Sequence, residues 1–226
     1  MASDQHLQLG KKQQVTFNMG QIKSGITVEE FKDNETLTSI FNSCDTNKNN
    51  VLDENEVQDF KDKLTQAAGE DQILDESEAK RLLKQEQAAL RERQKAQGLP
   101  ETKTKVKADD LYNFAEQWQN WSQNTKVKSS VVDGDKRIIT YEDGGQEVIN
   151  KDGSKVITTI SGGIKTTQTR NAEGKLEKAV IENEEEGTVE TLIYGEDGNL
   201  KNREVKNTKE NSTETVEYQN GKPVSY

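Results

Sequence analysis

The chain has one cysteine, one histidine, two prolines and two methionines in 226 residues, and each scarcity removes a class of protein. A lone Cys44 excludes an internal disulfide framework. With His6 as the sole imidazole, a zinc or copper site built on thiolate and imidazole has too few ligands. No Ser–His–Asp set can be assembled around that histidine, and no glycine-rich loop ahead of a helix offers to cradle phosphate. Aromatic residues make up 5% and hydrophobic residues 30% of the chain, too few to line a sugar cleft. Glu184, Glu185 and Glu186 therefore read as a solvated turn rather than a glycosidase pair, and no enzyme is expected. Met1 and Met19 alone make no Met-rich groove for target helices. The opening MASDQHLQLGKKQQ lacks the apolar stretch of a secretory signal, and no run approaches the roughly 20 apolar residues of a membrane span. The expectation is no membrane span, with either a cytoplasmic location or export without a cleaved signal.

Charge is plentiful and uneven. The net charge is −10, and the segment from Asp45 to Glu78 holds eleven acidic residues against three lysines, a net of −8. Such a field concentrates cations and repels phosphate backbones, so nucleic acid is not expected as a partner.

Within that segment lies DTNKNNVLDENE, residues 45 to 56. Side-chain oxygens fall at alternate positions, Asp45, Asn47 and Asn49. A backbone carbonyl follows at Val51, then Asp53, then Glu56, which can offer two oxygens at once. Six or seven hard oxygens suit a hard, flexible-coordination cation such as calcium. Leu37, Ile40 and Phe41 before the run, and Val57, Phe60 and Leu64 after it, mark two amphipathic helices. Asp53 and Glu56 are also spaced as a helix capping box. This run with its flanks resembles the EF-hand family. The resemblance implies calcium binding by Asp45, Asn47, Asn49, the Val51 carbonyl, Asp53 and Glu56, with Leu52 packed against a partner loop. It departs at the sixth position, normally Gly, which is Asn50; Asn is the ordinary residue that best tolerates a left-handed backbone.

NNVLDENEV (49 to 57) and DQILDESEA (71 to 79) align without gaps at a shift of 22 residues. The second copy keeps Asp71, Ile73, Asp75 and Glu78 but has Ala67 and Gly69 where the first ligands belong, so it reads as a degenerate loop and a doubtful second calcium site. Val51 and Leu52 are expected to pair with Ile73 and Leu74 in a bridge between the loops. One helix, from Val57 to about Gln66, must serve both. That tandem spacing is similar to dockerin-type repeats, although no cohesin-recognition residues can be matched.

The whole reads as an α+β chain. Residues 1–26 are an irregular lead-in with VTFNM a candidate strand; 27–98 form the EF-hand pair with an extended last helix, opened by a Thr27–Glu30 capping box and closed by Gly98 and Pro100. Residues 99–125 are a linker and a helix beginning at Asp109 or Asp110, whose Leu111, Phe114, Ala115 and Trp118 share one face, with Trp121 a turn further. That stripe reads as core-closing before docking. From 126 to 226, Thr, Val and Ile alternate with Lys and Glu between eight turns centred on Gly134, Gly144, Gly153, Gly162–Gly163, Gly174, Gly187, Gly198 and Gly221. This predicts an antiparallel meander of eight or nine strands, a single layer with both faces wet. Its texture looks like the hairpin sheets of bacterial surface lipoproteins and YD-type repeats. Two functions compete: calcium binding by the helical half, or a structural or adhesive surface module in which the sheet meets a protein or cell-surface partner and calcium only stiffens the helices.

Overall fold

The computed structural model describes residues 5–219 and 221–225, and the chain divides into two compact units at Ser130 and Val131. Each unit has its own architecture.

The first unit is mainly helical. Strands β1 (His6–Leu9) and β2 (Val15–Asn18) form a hairpin, and β3 (Ile73–Leu74) joins β1 in parallel, Gln8 opposite Ile73. The lead-in is thus ordered from residue 6, because Leu7, Leu9 and Phe17 point inward and are almost wholly buried. Helix α1 (Glu35–Cys44) is capped by Asn34, whose side-chain oxygen accepts from Thr36 and Leu37 amides at 3.1 Å each. The predicted Thr27 cap is corrected: Val28–Phe31 is a single 3-10 turn without a side-chain cap, and the longer helix starts only after Asn34.

Helices α2 (Glu54–Ala68) and α3 (Glu76–Ala96) each begin with a reciprocal capping box, Asp53 with Glu56 and Asp75 with Glu78. Helix α4 (Ala108–Asn124) starts where Asp110 accepts the Lys107 amide at 2.8 Å. Its aromatic stripe is core. Phe114 stacks on Phe31 at 4.6 Å, and Trp118 lies 5.3 Å from Phe60 and 5.8 Å from Phe114. Cys44 is buried against Ser43, and burial pushes its thiol up to about 12, so at neutral pH it is a small apolar filler rather than a thiolate. No helix among the described residues is long and apolar enough to cross a membrane.

The sheet is an antiparallel meander of ten strands, β4 to β13, each bonded to its neighbours in sequence. They are β4 (Val127–Asp133), β5 (Lys136–Tyr141), β6 (Gln146–Asn150), β7 (Lys155–Ser161), β8 (Ile164–Arg170), β9 (Leu176–Asn183), β10 (Thr188–Tyr194), β11 (Leu200–Asn207), β12 (Ser212–Gln219) and β13 (Lys222–Ser225). All the predicted turn glycines have positive φ. Ten strands rather than eight or nine arise because the turn between β11 and β12 carries its positive φ on Asn211, at 51°, with no glycine to mark it.

Ile139, Ala179 and Val216 are the buried apolar side chains of the second unit, and the register puts all three on one face. The rest of that face mixes half-buried Ile157 and Leu192 with the ion pairs Lys155–Glu147 at 2.9 Å and Arg203–Glu190 at 2.5 Å. Solvent-accessible pairs of this kind contribute about 0–1 kcal/mol each, so backbone pairing and stem packing hold the layer together.

Candidate metal site

Helix α1 ends at Cys44, and from Asp45 the backbone folds over its own side chains. One Asp45 oxygen accepts the Asn49 amide at 3.2 Å and the other accepts the Asn50 amide at 2.9 Å. The Asn47 side-chain oxygen accepts the Asn49 amide at 3.1 Å, and that of Asn49 accepts the Val51 amide at 2.9 Å. Short side chains that capture amides two to five residues ahead force the tight coil, which is why Asp and Asn occupy these positions. The amides fix where the oxygens sit and leave each with a further lone pair.

Lys48 and Asn50 take left-handed backbone, φ 60° and 62°. Asn50 adopts the conformation expected of the usual glycine; Lys48 is a second strained position that the sequence did not reveal. Replacing Lys48 by Gly should stabilise the metal-free chain by about 0.5–1 kcal/mol, since relief of the left-handed cost exceeds glycine's added unfolded entropy. Thermal unfolding checks this, and a lower midpoint would contradict it.

The loop then pairs with the chain that precedes α1. Gly25 donates to the Leu52 carbonyl at 2.8 Å, Leu52 to Ile26 at 3.0 Å, and Val28 to Asn50 at 3.2 Å, with Thr27 opposite Val51. The expected bridge between the two loops is therefore corrected: Val51 and Leu52 pair with residues 25–28, and Ile73 and Leu74 with β1. Strand alternation explains a consequence for Val51. The carbonyls of Asn50 and Leu52 turn toward the strap of residues 22–28, and that of Val51 accepts no hydrogen bond among the described residues.

Glu56 closes the loop. One carboxylate oxygen accepts the Thr46 amide at 2.7 Å, the Thr46 hydroxyl at 2.9 Å and the Asn47 amide at 3.2 Å; the other accepts the Asp53 amide at 3.1 Å. Asp53 caps α2 with one oxygen and accepts the Asn47 side-chain amide with the other, at 3.0 Å. Thr46 is a contributor that sequence spacing alone did not single out.

All six expected site residues thus share one loop. Asp45, Asp53 and Glu56 are 5%, 8% and 4% exposed, and none of them forms an ion pair among the described residues. Burial pushes the Asp45 carboxyl above its usual 3.8; the amides of Asn50, Asn49 and Lys48 pull it partway back, and the Asp53 charge raises it again. Buried carboxylates without a cation are costly. The side-chain nitrogen of Asn49 is also buried without a partner. Among the described residues no three His, Cys, Asp or Glu groups gather into a metal cluster by themselves. An oxygen cage here draws on two Asn side chains and a main-chain carbonyl as well, the mixture a calcium loop uses. The donor set fits that ion by type, with Glu56 having to share oxygens now engaged by amides.

The second copy repeats the latter half of this architecture. Gln72 is left-handed like Asn50, 22 residues earlier, and Asp71 accepts the Ile73 amide at 3.0 Å as Asn49 accepts that of Val51. Its first half is lost because α2 continues through Ala67 and Ala68; Asp75 is exposed and Glu78 half-buried, and the two hold each other in their capping box.

A cleft of about 960 Å³ in the first unit lies elsewhere, between the β1–β2 turn and the starts of α3 and α4. Four of its charged wall residues form ion pairs, Lys11 with Glu116 and Lys80 with Glu76.

Comparison with protein-family models, curated proteins and solved structures returns no match for this chain. The reading of the loop rests on its own geometry.

Proposed function

We propose that the chain binds one calcium ion in the 45–56 loop, without catalysis. The observation that carries this reading is the coincidence of two features. Asp45, Asn47 and Asn49 have their oxygens fixed by the loop's own amides beside an unbonded Val51 carbonyl. Three of the loop's four carboxylates, Asp45, Asp53 and Glu56, are buried and form no ion pair among the described residues. Bound calcium supplies the missing positive charge; Asp45, Asn47, Asn49, the Val51 carbonyl, Asp53 and Glu56 hold it. The second loop, with Ala67 and Gly69 at its first ligand positions, serves as structure.

Thermal unfolding with and without calcium tests the reading. Calcium at a hundred times its dissociation constant should add about 2.7 kcal/mol. No shift at millimolar-range calcium would reject it.

The pH dependence has a definite sign. Between 3.8 and its raised folded value, Asp45 holds a proton in the folded chain that the unfolded chain has released, so its contribution to metal-free stability falls as pH rises through that window. Calcium requires the deprotonated form. Affinity should therefore weaken as pH falls into the same window, with proton release on binding, measurable by calorimetry in buffers of different ionisation heat. Proton uptake would contradict this.

Asn49→Asp replaces the unpartnered nitrogen by oxygen and adds a fourth carboxylate to the proposed ligand set. It should tighten calcium binding by about tenfold while lowering metal-free stability, since charge count tunes affinity in such loops. Unchanged affinity would count against Asn49 as a ligand.

A further inference from the structure

The strap of residues 22–28 runs between the metal loop and the end of the first unit, hydrogen-bonded on both sides. Toward the loop it makes the three backbone bonds from Gly25, to Ile26 and from Val28. Toward α4, the Lys23 amide donates to the Ser122 hydroxyl at 3.1 Å, and the Lys23 carbonyl accepts the Trp118 indole at 3.0 Å. Toward β4, the Ser24 hydroxyl accepts the Ser130 amide at 2.8 Å, both residues being buried. Gly25, at φ +100°, lies so close to Ser130 that a Cβ there would approach the serine Cβ to 2.9 Å. Ile22 and Ile26 anchor the strap in the core.

We infer that the strap is a mechanical link through which cation binding in the 45–56 loop is passed to Trp118 and to the Ser130 amide at the middle of β4. The inference rests on the calcium reading above. An ion that draws the Val51 carbonyl inward fixes the neighbouring Asn50 and Leu52 carbonyls, to which the strap is bonded. A strap held there has fewer ways to open, and the groups bonded to its other edge share that restraint. In this arrangement the element that pairs with the loop's short strand is the chain's own lead-in, so occupancy is read inside one unit rather than by a second ion-binding loop.

Hydrogen exchange on the full chain tests the link, with calorimetry on the same samples. Calcium should slow exchange of the Gly25, Val28 and Leu52 amides by about tenfold or more, slow that of Ser130 several-fold, and change Trp fluorescence. In Ser24→Ala the loop amides should keep their calcium protection while the Ser130 response disappears, and Ser24→Thr, which retains the hydroxyl, should restore it. Calcium heat with protected loop amides but an unmoved Ser130 and unchanged fluorescence would overturn the link and leave the binding site standing. Absence of both heat and loop protection would instead remove the calcium reading on which the link depends.

Discussion

Replacing Trp118 by Ala should lower the stability of the helical unit by about 3–5 kcal/mol, the range for deleting a fully buried large aromatic. The side chain is completely buried, it contacts Phe60 and Phe114, and its indole nitrogen donates to the Lys23 carbonyl. Alanine would leave a cavity between α2 and α4 and remove the indole's hydrogen bond to the strap. Small domains hold only about 5–15 kcal/mol in total, so a large fraction of the unit's stability is at stake. Urea unfolding followed by helical circular dichroism measures the loss. Trp118→Phe keeps most of the ring volume and should cost much less. A loss below about 1 kcal/mol for alanine would show that the α4 stripe does not close the core.

Glu56→Ala should have two separable effects. Calcium binding should vanish, because this position offers two oxygens of the set. Metal-free stability should also fall, by about 1–3 kcal/mol, because the carboxylate holds the Thr46, Asn47 and Asp53 amides and forms half of the α2 capping box. Glu56→Gln separates the two. It keeps one acceptor oxygen for the Thr46 and Asn47 groups and should recover part of the stability, yet it removes the charge and one ligand oxygen and should still bind poorly. Wild-type calcium affinity in both variants would exclude Glu56 as a ligand.

Local chemistry made much of the molecule legible. Asp53 and Glu56 announce the start of α2 because capping depends on residues within one turn, and the turn glycines mark hairpins because positive φ is written in a single residue. The meander follows from short connections, which leave neighbouring strands little choice but to pair. What stayed hidden was non-local. Nothing in VTFNM or in Gly25–Val28 states that one strand pairs with β1 and the other with the 45–56 loop, since edge pairing is chosen by tertiary packing. Repeat symmetry points to the second loop as the partner of Leu52, but the buried lead-in takes that place. Asn211 carries no mark in the sequence, because a left-handed Asn in a turn looks like any other polar loop residue.

The site shows the same division. The spacing of Asp45, Asn47, Asn49, Asp53 and Glu56 placed all of them in one loop without knowledge of the fold. Thr46 as a clamp on Glu56, the strained Lys48 and the unpartnered Asn49 nitrogen required three dimensions.

The measurement that bears most directly on the account is a calorimetric titration of calcium into the chelator-stripped full chain, beside Glu56→Ala. The account predicts one site per chain in the wild type, none in the variant, and no second site from the 71–78 loop. Two sites, or a site that survives the loss of Glu56, would contradict the assignment to the 45–56 loop, and no heat at any accessible calcium concentration would contradict calcium binding itself.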